Sequence, residues 1–127
     1  METKKILIAD DESSVVQIIS AKLRNNGFEV ITASNGDEAI TLSVQQKPDF
    51  IIADYELPGV SGLDFAQQIH SKPALAEVHI IMLTTKEKEL TDKQMTKAGI
   101  ALCLNKPFSP KEILGKIENL LAGAPTK

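Results

Sequence analysis

Short hydrophobic runs alternate with amphipathic segments five times along this chain. The runs are rich in Ile, Val and Leu and lie near residues 5–9, 28–33, 50–54, 79–84 and 100–105. Runs of this length that are apolar at nearly every position are typical of strands covered on both faces, as in a parallel sheet. The pattern therefore predicts five buried parallel strands.

The segments between the runs carry apolar residues at helical spacing, clearest in residues 13–25 and 110–121. Turn residues agree with this division: Asn26-Gly27 and Ala98-Gly99 are typical of helix ends, and Ser109-Pro110 is typical of a helix start. The order is therefore (βα)5, a doubly wound α/β fold with right-handed crossovers and helices on both faces.

Residues 86–97 form the weakest predicted element. Only Leu90 and Met95 are clearly apolar there. A helix with so little to bury is held loosely by the core. We expect a solvated helix in this segment.

Length, composition and charge bound the function without naming it. The chain has 127 residues, a net charge of -3 and no apolar run of the ~20 residues that span a bilayer. Its basic residues are interspersed with acids, so we expect no direct contact with nucleic acid or membrane. No signal peptide is visible, which favours a cytoplasmic location. We expect one domain over residues 1–122, with residues 123–127 as a flexible tail or the stub of a linker.

Five polar residues lie at the ends of the hydrophobic runs. They are Asp10 and Asp11 after the first run, Asp54 at the end of the third, Thr84 at the end of the fourth and Lys106 after the fifth. If the strand order is 2-1-3-4-5, these ends share one edge of the sheet, where ligands of open α/β sheets bind. Each residue has an ordinary explanation alone; Asp11, for example, could cap the following helix. Together they predict a pocket for a divalent cation, with Mg²⁺ the best match, and for a phosphoryl group.

The motifs around these residues resemble the receiver domains of two-component response regulators, the CheY-like superfamily. The similar segments are Ile-Leu-Ile-Ala-Asp-Asp at the first strand, Asp-Tyr-Glu-Leu-Pro-Gly-Val-Ser-Gly from Asp54 to Gly62, Ile-Met-Leu-Thr-Thr at the fourth strand and Asn-Lys-Pro-Phe after the fifth. They occur in the expected order over nearly the whole chain. The resemblance implies a flavodoxin-like sandwich whose five-stranded parallel sheet has the order 2-1-3-4-5.

The resemblance also implies a role for each site residue. Asp54 would be the phosphoacceptor, Lys106 would pair with the phosphoryl group and Thr84 would turn toward it. Mg²⁺, for which Mn²⁺ could substitute, would be held by Asp11, Asp54 and the backbone carbonyl of Glu56, with Asp10 acting mainly through water. The peptide bond before Pro107 would be cis.

By the same resemblance, the chain would act as a signalling switch and not as an enzyme beyond its own phosphoryl transfer and autodephosphorylation. The donor would be a histidine kinase or a histidine phosphotransfer protein. The output would reach a downstream protein or domain through the face formed by the fourth helix, fifth strand and fifth helix. Whether the chain stands alone or belongs to a longer protein stays open.

One position, Cys103, departs from the family pattern, and two others, Glu56 and Lys86, could modify the chemistry of the site. Many receivers carry Tyr or Phe where this chain has Cys103, which we interpret as a small apolar residue of a buried strand. The usual coupling of the threonine to an aromatic ring is therefore altered. The resemblance implies that Glu56 and Lys86 would border the pocket, where they could pair with each other or remain two solvated side chains. We hypothesise that they pair and give a comparatively long-lived phosphoryl group.

Two other functions share parts of this pattern. A haloacid dehalogenase-type phosphatase also uses an aspartyl phosphate, but it needs two acids separated by one residue, which Asp10-Asp11-Glu12 does not supply in the expected form. A flavodoxin-like cofactor binder needs a Ser/Thr/Gly-rich phosphate loop, whereas the first loop here is acidic.

Overall fold

A computed structural model of the protein describes residues 3–85, 90–106 and 109–121. Five parallel strands form one sheet of order β2-β1-β3-β4-β5. This confirms the predicted doubly wound fold. The strands are β1 (Lys5–Ala9), β2 (Glu29–Ala33), β3 (Phe50–Asp54), β4 (His79–Thr84) and β5 (Leu102–Asn105).

The helices cover both faces of the sheet. They are α1 (Ser13–Arg24), α2 (Gly36–Gln46), α3 (Gly62–His70), α4 (Asp92–Ala98) and α5 (Pro110–Leu121), with a 3-10 turn at Pro73–Leu75. Asn35 and Ser61 accept hydrogen bonds from the backbone N–H groups of Glu38 and Asp64 at the starts of α2 and α3. The Ser109 hydroxyl oxygen accepts one from the Glu112 N–H in the same way. These caps satisfy N–H groups that have no partner within the helix.

The alternation of side chains along the strands divides the core into two layers. Leu7 and Ala9 of β1 face the layer that also holds Phe65 and Ile69 of α3. The other layer contains Ile6 and Ile8 of β1 together with side chains from α1 and α5, namely Ile19, Leu23, Ile113 and Ile117. Every residue of β3 is buried, because this strand is central and covered on both sides.

Several predicted boundaries differ from the structure for local reasons. The fifth run begins at Ile100, but the Ile100 N–H donates to the carbonyl of Met95 in α4, and the strand starts only at Leu102. β2 begins at Glu29 and α1 ends at Arg24, each one residue inside the prediction. The alternative explanation of Asp11 as the cap of α1 does not hold, because Glu12 occupies the N-cap position.

The predicted helix over 86–97 is present only in part among the described residues. α4 starts at Asp92 because Thr91 and Gln94 form a reciprocal capping box. Residues 86–89 lie outside the described residues, as do Pro107 and the tail at 123–127. The cis peptide bond, the Glu56–Lys86 pairing and the domain boundary at residue 122 therefore stay predictions. Across 3–85, 90–106 and 109–121, no helix is long and apolar enough to cross a membrane.

Candidate functional site

The carboxyl ends of four strands bring the predicted polar residues to one edge of the sheet. Asp10 follows β1, Asp54 and Thr84 end β3 and β4, and Lys106 follows β5. The backbone fixes these positions beyond the strand ends: the Asp10 N–H donates to the carbonyl of Ala33 at 3.1 Å, and the Lys106 N–H donates to that of Thr84 at 2.7 Å. Backbone hydrogen bonds between neighbouring strands therefore fix the backbone positions of Asp10 and Lys106 at this edge.

One ammonium group joins three carboxylates at this edge. Lys106 Nζ lies 3.0 Å from Asp10 Oδ2, 2.8 Å from Glu12 Oε1 and 3.1 Å from Asp54 Oδ2. The residues Asp10 and Asp54 are only 2% and 9% exposed, whereas the Glu12 side chain is 56% exposed. The cluster thus has a buried floor formed by two aspartates and a solvated rim formed by Glu12.

The segment after Asp54 folds tightly over the end of its strand. Asp54 Oδ1 accepts a hydrogen bond from the Glu56 N–H at 3.1 Å, and the Tyr55 N–H donates to the carbonyl of Leu83 at 2.8 Å. The Gly62 N–H then donates to the Tyr55 carbonyl at 2.7 Å. A Cβ atom at Gly62 would lie 2.8 Å from Tyr55 Cα, so this close return requires glycine. The loop therefore leaves the Asp54 carboxylate at the open edge of the sheet.

The surroundings shift the acid–base equilibria of the cluster. Burial raises the pKa of the Asp10 carboxyl, although the hydrogen bonds from the Glu12 N–H and from Lys106 oppose that rise. Burial alone would lower the pKa of Lys106, but its hydrogen bonds to Glu12, Asp10 and Asp54 outweigh burial and raise it. Lys106 therefore stays charged, and the proximity of Asp54 adds to the difficulty of ionising Asp10.

The same three carboxylates are the described groups that could hold a metal ion together. Single oxygens of Asp10, Glu12 and Asp54 all lie within 4.8 Å of one another. With all three ionised and Lys106 protonated, the cluster carries a net charge of about -2. Oxygen ligands with this charge suit a hard divalent cation such as Mg²⁺.

Thr84 belongs to the site but points to a partner that the sequence analysis did not identify. Its hydroxyl donates to Asn105 Oδ1 at 3.0 Å. The two residues are also register partners at the ends of β4 and β5. The register of the sheet explains this contact, since paired residues in adjacent strands have neighbouring side chains.

The remaining predicted residues lie near the site in different environments. Asp11 and Glu56 are exposed, and neither side chain belongs to the carboxylate cluster formed by the described residues. Cys103 pairs with Met82 across β4 and β5, and its half-buried side chain packs against the core layer of α3. This environment agrees with the interpretation of Cys103 as a small apolar residue of the strand.

Sequence reasoning missed Glu12, whose carboxylate lies nearest to Lys106. The available signal is its place directly after the acidic pair, but a single acid at the start of a helix does not by itself indicate a contact with Lys106. Because α1 begins at Ser13, Glu12 still belongs to the loop that crosses the edge of the sheet. Its side chain can therefore reach the strand ends.

Comparisons with known proteins agree with this site and fold. The profile of the response regulator receiver domain matches residues 6–118. The chain is 36% identical over 118 residues, 93% of its length, to the alkaline phosphatase synthesis transcriptional regulatory protein PhoP of Bacillus subtilis. It covers 48% of that protein, and it spans about half the length of the other curated relatives it matches.

Solved structures with the same fold extend the likeness. The chemotaxis response regulator CheY4 of Vibrio cholerae superposes with a TM-score of 0.87 at 29% identity, covering 94% of this chain and 99% of that one. The receiver domain of the sensor histidine kinase PA1611 from Pseudomonas aeruginosa PAO1 superposes with a TM-score of 0.82 at 28% identity, covering 97% and 100%. That structure has a magnesium ion coordinated in its active site cleft. Together with the profile match over most of its length, these likenesses show that the chain belongs to the response regulator receiver domain family.

Proposed function

We propose that this domain is a phosphoacceptor switch of a two-component phosphorelay, phosphorylated on Asp54. The observation that carries the proposal is the position of Asp54. Its carboxylate lies at the open edge of the sheet and within 3.1 Å of the Lys106 ammonium. Membership of the receiver family supports the same assignment. The donor is a histidine kinase or a histidine phosphotransfer protein.

The transfer forms one bond and breaks another at phosphorus. A carboxylate oxygen of Asp54 attacks the phosphorus, and the bond from phosphorus to the donor nitrogen or oxygen breaks as the donor leaves with the electron pair. The Glu56 N–H and Lys106 orient the carboxylate before the reaction. Lys106 then pairs with the charged phosphoryl oxygens, and the Thr84 hydroxyl turns to donate to one of them.

The residues present fit a bound Mg²⁺ ion, for which Mn²⁺ could substitute. Asp10, Asp11 and Asp54 would supply carboxylates and Glu56 would supply its backbone carbonyl, with Asp10 acting mainly through water. The buried carboxylates of Asp10 and Asp54, together with the nearby carboxylate of Glu12, carry more negative charge than Lys106 neutralises. A divalent cation would neutralise the remainder. Such an ion supplies charge neutralisation of the transferring oxygens. The magnesium ion in the PA1611 receiver domain supports this assignment.

The domain acts through conformation and contact, and its chemistry is limited to its own phosphorylation and dephosphorylation. We propose that phosphorylation biases two conformations of the face formed by α4, β5 and α5, which contacts a downstream protein or output domain. The cytoplasmic location and the long-lived phosphoryl group stay predictions. No observation favours the phosphatase or the flavin binder.

The direct test is intact-protein mass spectrometry after incubation with acetyl phosphate and Mg²⁺. We expect one phosphoryl addition in the wild-type domain and none in Asp54→Asn. Asp49→Asn is the matched control: it makes the same chemical change at the opposite edge of the sheet, and it keeps an oxygen to accept the hydrogen bond from the Lys5 N–H. The proposal would be contradicted if the wild-type domain gained no phosphoryl group, or if the addition persisted in Asp54→Asn.

A further inference from the structure

Glu12 is tied to the site by two hydrogen bonds. Its side-chain Oε1 accepts from Lys106 Nζ at 2.8 Å, the shortest of the three lysine contacts, and its backbone N–H donates to Asp10 Oδ1 at 2.9 Å. The Glu12 carboxylate lies close enough to Asp10 and Asp54 to add to their negative charge, but it is not among the proposed Mg²⁺ ligands, the phosphoacceptor or the phosphoryl contacts. Its contact with Lys106 therefore needs its own explanation.

The donors of Lys106 are fully used in this arrangement. An ammonium group has three N–H donors. The three carboxylates of Asp10, Glu12 and Asp54 accept one hydrogen bond each. An incoming phosphoryl oxygen can therefore pair with Lys106 only when one of these carboxylates releases its hydrogen bond.

The three carboxylates differ in the cost of that release. The Asp10 side chain is fully buried, and a buried acceptor left without a partner costs free energy. Asp54 is the group that receives the phosphoryl and must stay beside the lysine. The Glu12 side chain is 56% exposed, so water can solvate its carboxylate once it leaves.

We propose that Glu12 is a positioning residue that occupies Lys106 in the unphosphorylated domain and competes with the phosphoryl group for it. The inference rests on the proposed function, since it describes the same lysine during phosphorylation of Asp54. Two effects act in the same direction. The Glu12 carboxylate holds a lysine donor that the phosphoryl group needs, and its charge repels the incoming phosphoryl anion. Glu12 therefore slows phosphorylation.

The test separates metal binding from phosphoryl transfer. Mg²⁺ affinity is measured by titration of amide chemical shifts in wild-type and Glu12→Gln protein, and the rate of phosphorylation by acetyl phosphate is then measured by mass spectrometry at saturating Mg²⁺. We expect Glu12→Gln to be phosphorylated about two- to fivefold faster, which is the range for loss of a partly exposed ion pair. Its Mg²⁺ affinity should stay within about twofold of wild type, because Glu12 is not one of the proposed ligands and its exposed charge is screened by solvent.

Two further variants and a second ligand sharpen the test. Glu12→Asp keeps the charge, so its rate should lie between those of wild type and Glu12→Gln. Glu118→Gln makes the same charge change near the carboxyl end of α5, at the opposite edge of the sheet, and should have the wild-type rate. Beryllium fluoride, which binds as an unreactive phosphoryl mimic, should bind Glu12→Gln more tightly by a similar factor.

Each outcome has a distinct meaning. If Glu12→Gln is no faster than wild type at saturating Mg²⁺, and binds beryllium fluoride no more tightly, the inference is overturned while the proposed function stands. A tenfold loss of Mg²⁺ affinity in Glu12→Gln would instead make Glu12 a metal ligand and would also overturn it. If the wild-type domain takes up no phosphoryl group, the proposed function itself fails, and the inference fails with it.

Discussion

The Thr84 hydroxyl donates a hydrogen bond to the side-chain oxygen of Asn105 at 3.0 Å. Thr84 is buried at the end of β4, and Asn105 is its register partner on β5. The only proton of the hydroxyl is therefore already used. For Thr84 to donate to a phosphoryl group on Asp54, it must first release Asn105.

This relationship predicts that Asn105→Ala favours the phosphorylated conformation. The substitution removes a hydrogen bond made by the unphosphorylated form, and such a bond contributes about 1 kcal/mol. We therefore expect beryllium fluoride to bind about fivefold more tightly to Asn105→Ala. Isothermal titration at saturating Mg²⁺ measures the change.

A double-mutant cycle with Thr84→Ala identifies the cause. In Thr84→Ala the hydrogen bond to Asn105 is already absent. Asn105→Ala should therefore no longer tighten beryllium fluoride binding in that background. An equal gain in both backgrounds would show that Asn105 acts independently of Thr84.

Much of the fold follows from the sequence because its signals are local and agree with one another. Residues 6–9 and 50–53 are apolar throughout, and the helix start indicated by Ser109-Pro110 lies where expected. The error at the start of β5 occurs because one backbone N–H group has two possible hydrogen-bond partners. Ile100 is as apolar as a strand residue, but its N–H completes the end of α4.

The site was predictable only as far as it depends on strand ends. Asp10, Asp54, Thr84 and Lys106 meet because the sheet has the order 2-1-3-4-5. The contacts of Glu12 and Asn105 depend on side-chain reach and register, which no spacing along the chain encodes. Polar side chains such as these are also common at exposed positions, so the place of Glu12 after the acidic pair was not enough to select it.

The raised pKa of Asp10 predicts a pH-dependent difference between the wild-type domain and Asp10→Asn without metal. Because the folded pKa lies above its ordinary value of 3.8, the folded form binds the proton more tightly than the unfolded form. The Asp10 contribution to stability therefore falls as the pH rises from about 3.8 through the raised pKa, and it is constant above that.

Asp10→Asn mimics the protonated side chain and therefore removes the loss of stability that Asp10 causes as the pH rises. We expect its free energy of unfolding in urea, relative to wild type, to increase with pH over that window. Above the window, Mg²⁺ should stabilise the wild type by about 2.7 kcal/mol at a concentration of 100 Kd, and Asp10→Asn less at the same concentration. A pH-independent difference in the free energy of unfolding between the two proteins would contradict the raised pKa of Asp10.

Ser20 predicts a stabilising substitution on α1. Its hydroxyl oxygen is buried, and among the described residues it has no hydrogen-bond partner. Removing a buried polar atom without a partner recovers its desolvation cost, so Ser20→Ala should raise the free energy of unfolding by about 1 kcal/mol. Urea denaturation measures the shift.

Ser43 on α2 is the matched control for Ser20. It is equally buried, but its hydroxyl donates to the Ala39 carbonyl at 2.7 Å. Ser43→Ala should therefore lower stability, or leave it unchanged, where Ser20→Ala raises it. If both substitutions shift stability in the same direction by the same amount, the hydrogen-bonding state of Ser20 is not the cause.

Gly99 at the end of α4 predicts a strongly destabilising substitution with two separable causes. Its φ of 75° lies in the left-handed region, where a side chain costs roughly 1–2 kcal/mol. A Cβ atom there would also collide with the imidazole ring of His70. That ring is held in place, because its nitrogens lie 3.2 and 2.9 Å from the carbonyl oxygens of Ala98 and Val78.

Gly99→Ala should therefore lower the free energy of unfolding by more than the backbone cost alone. In the His70→Ala background the collision disappears and only the backbone cost of about 1–2 kcal/mol should remain. Gly115→Ala in α5 is the control, because nothing lies within 4 Å of its added Cβ and alanine favours the helix by about 0.5–1 kcal/mol. An equal loss for Gly99→Ala with and without His70 would show that the imidazole ring yields at no cost.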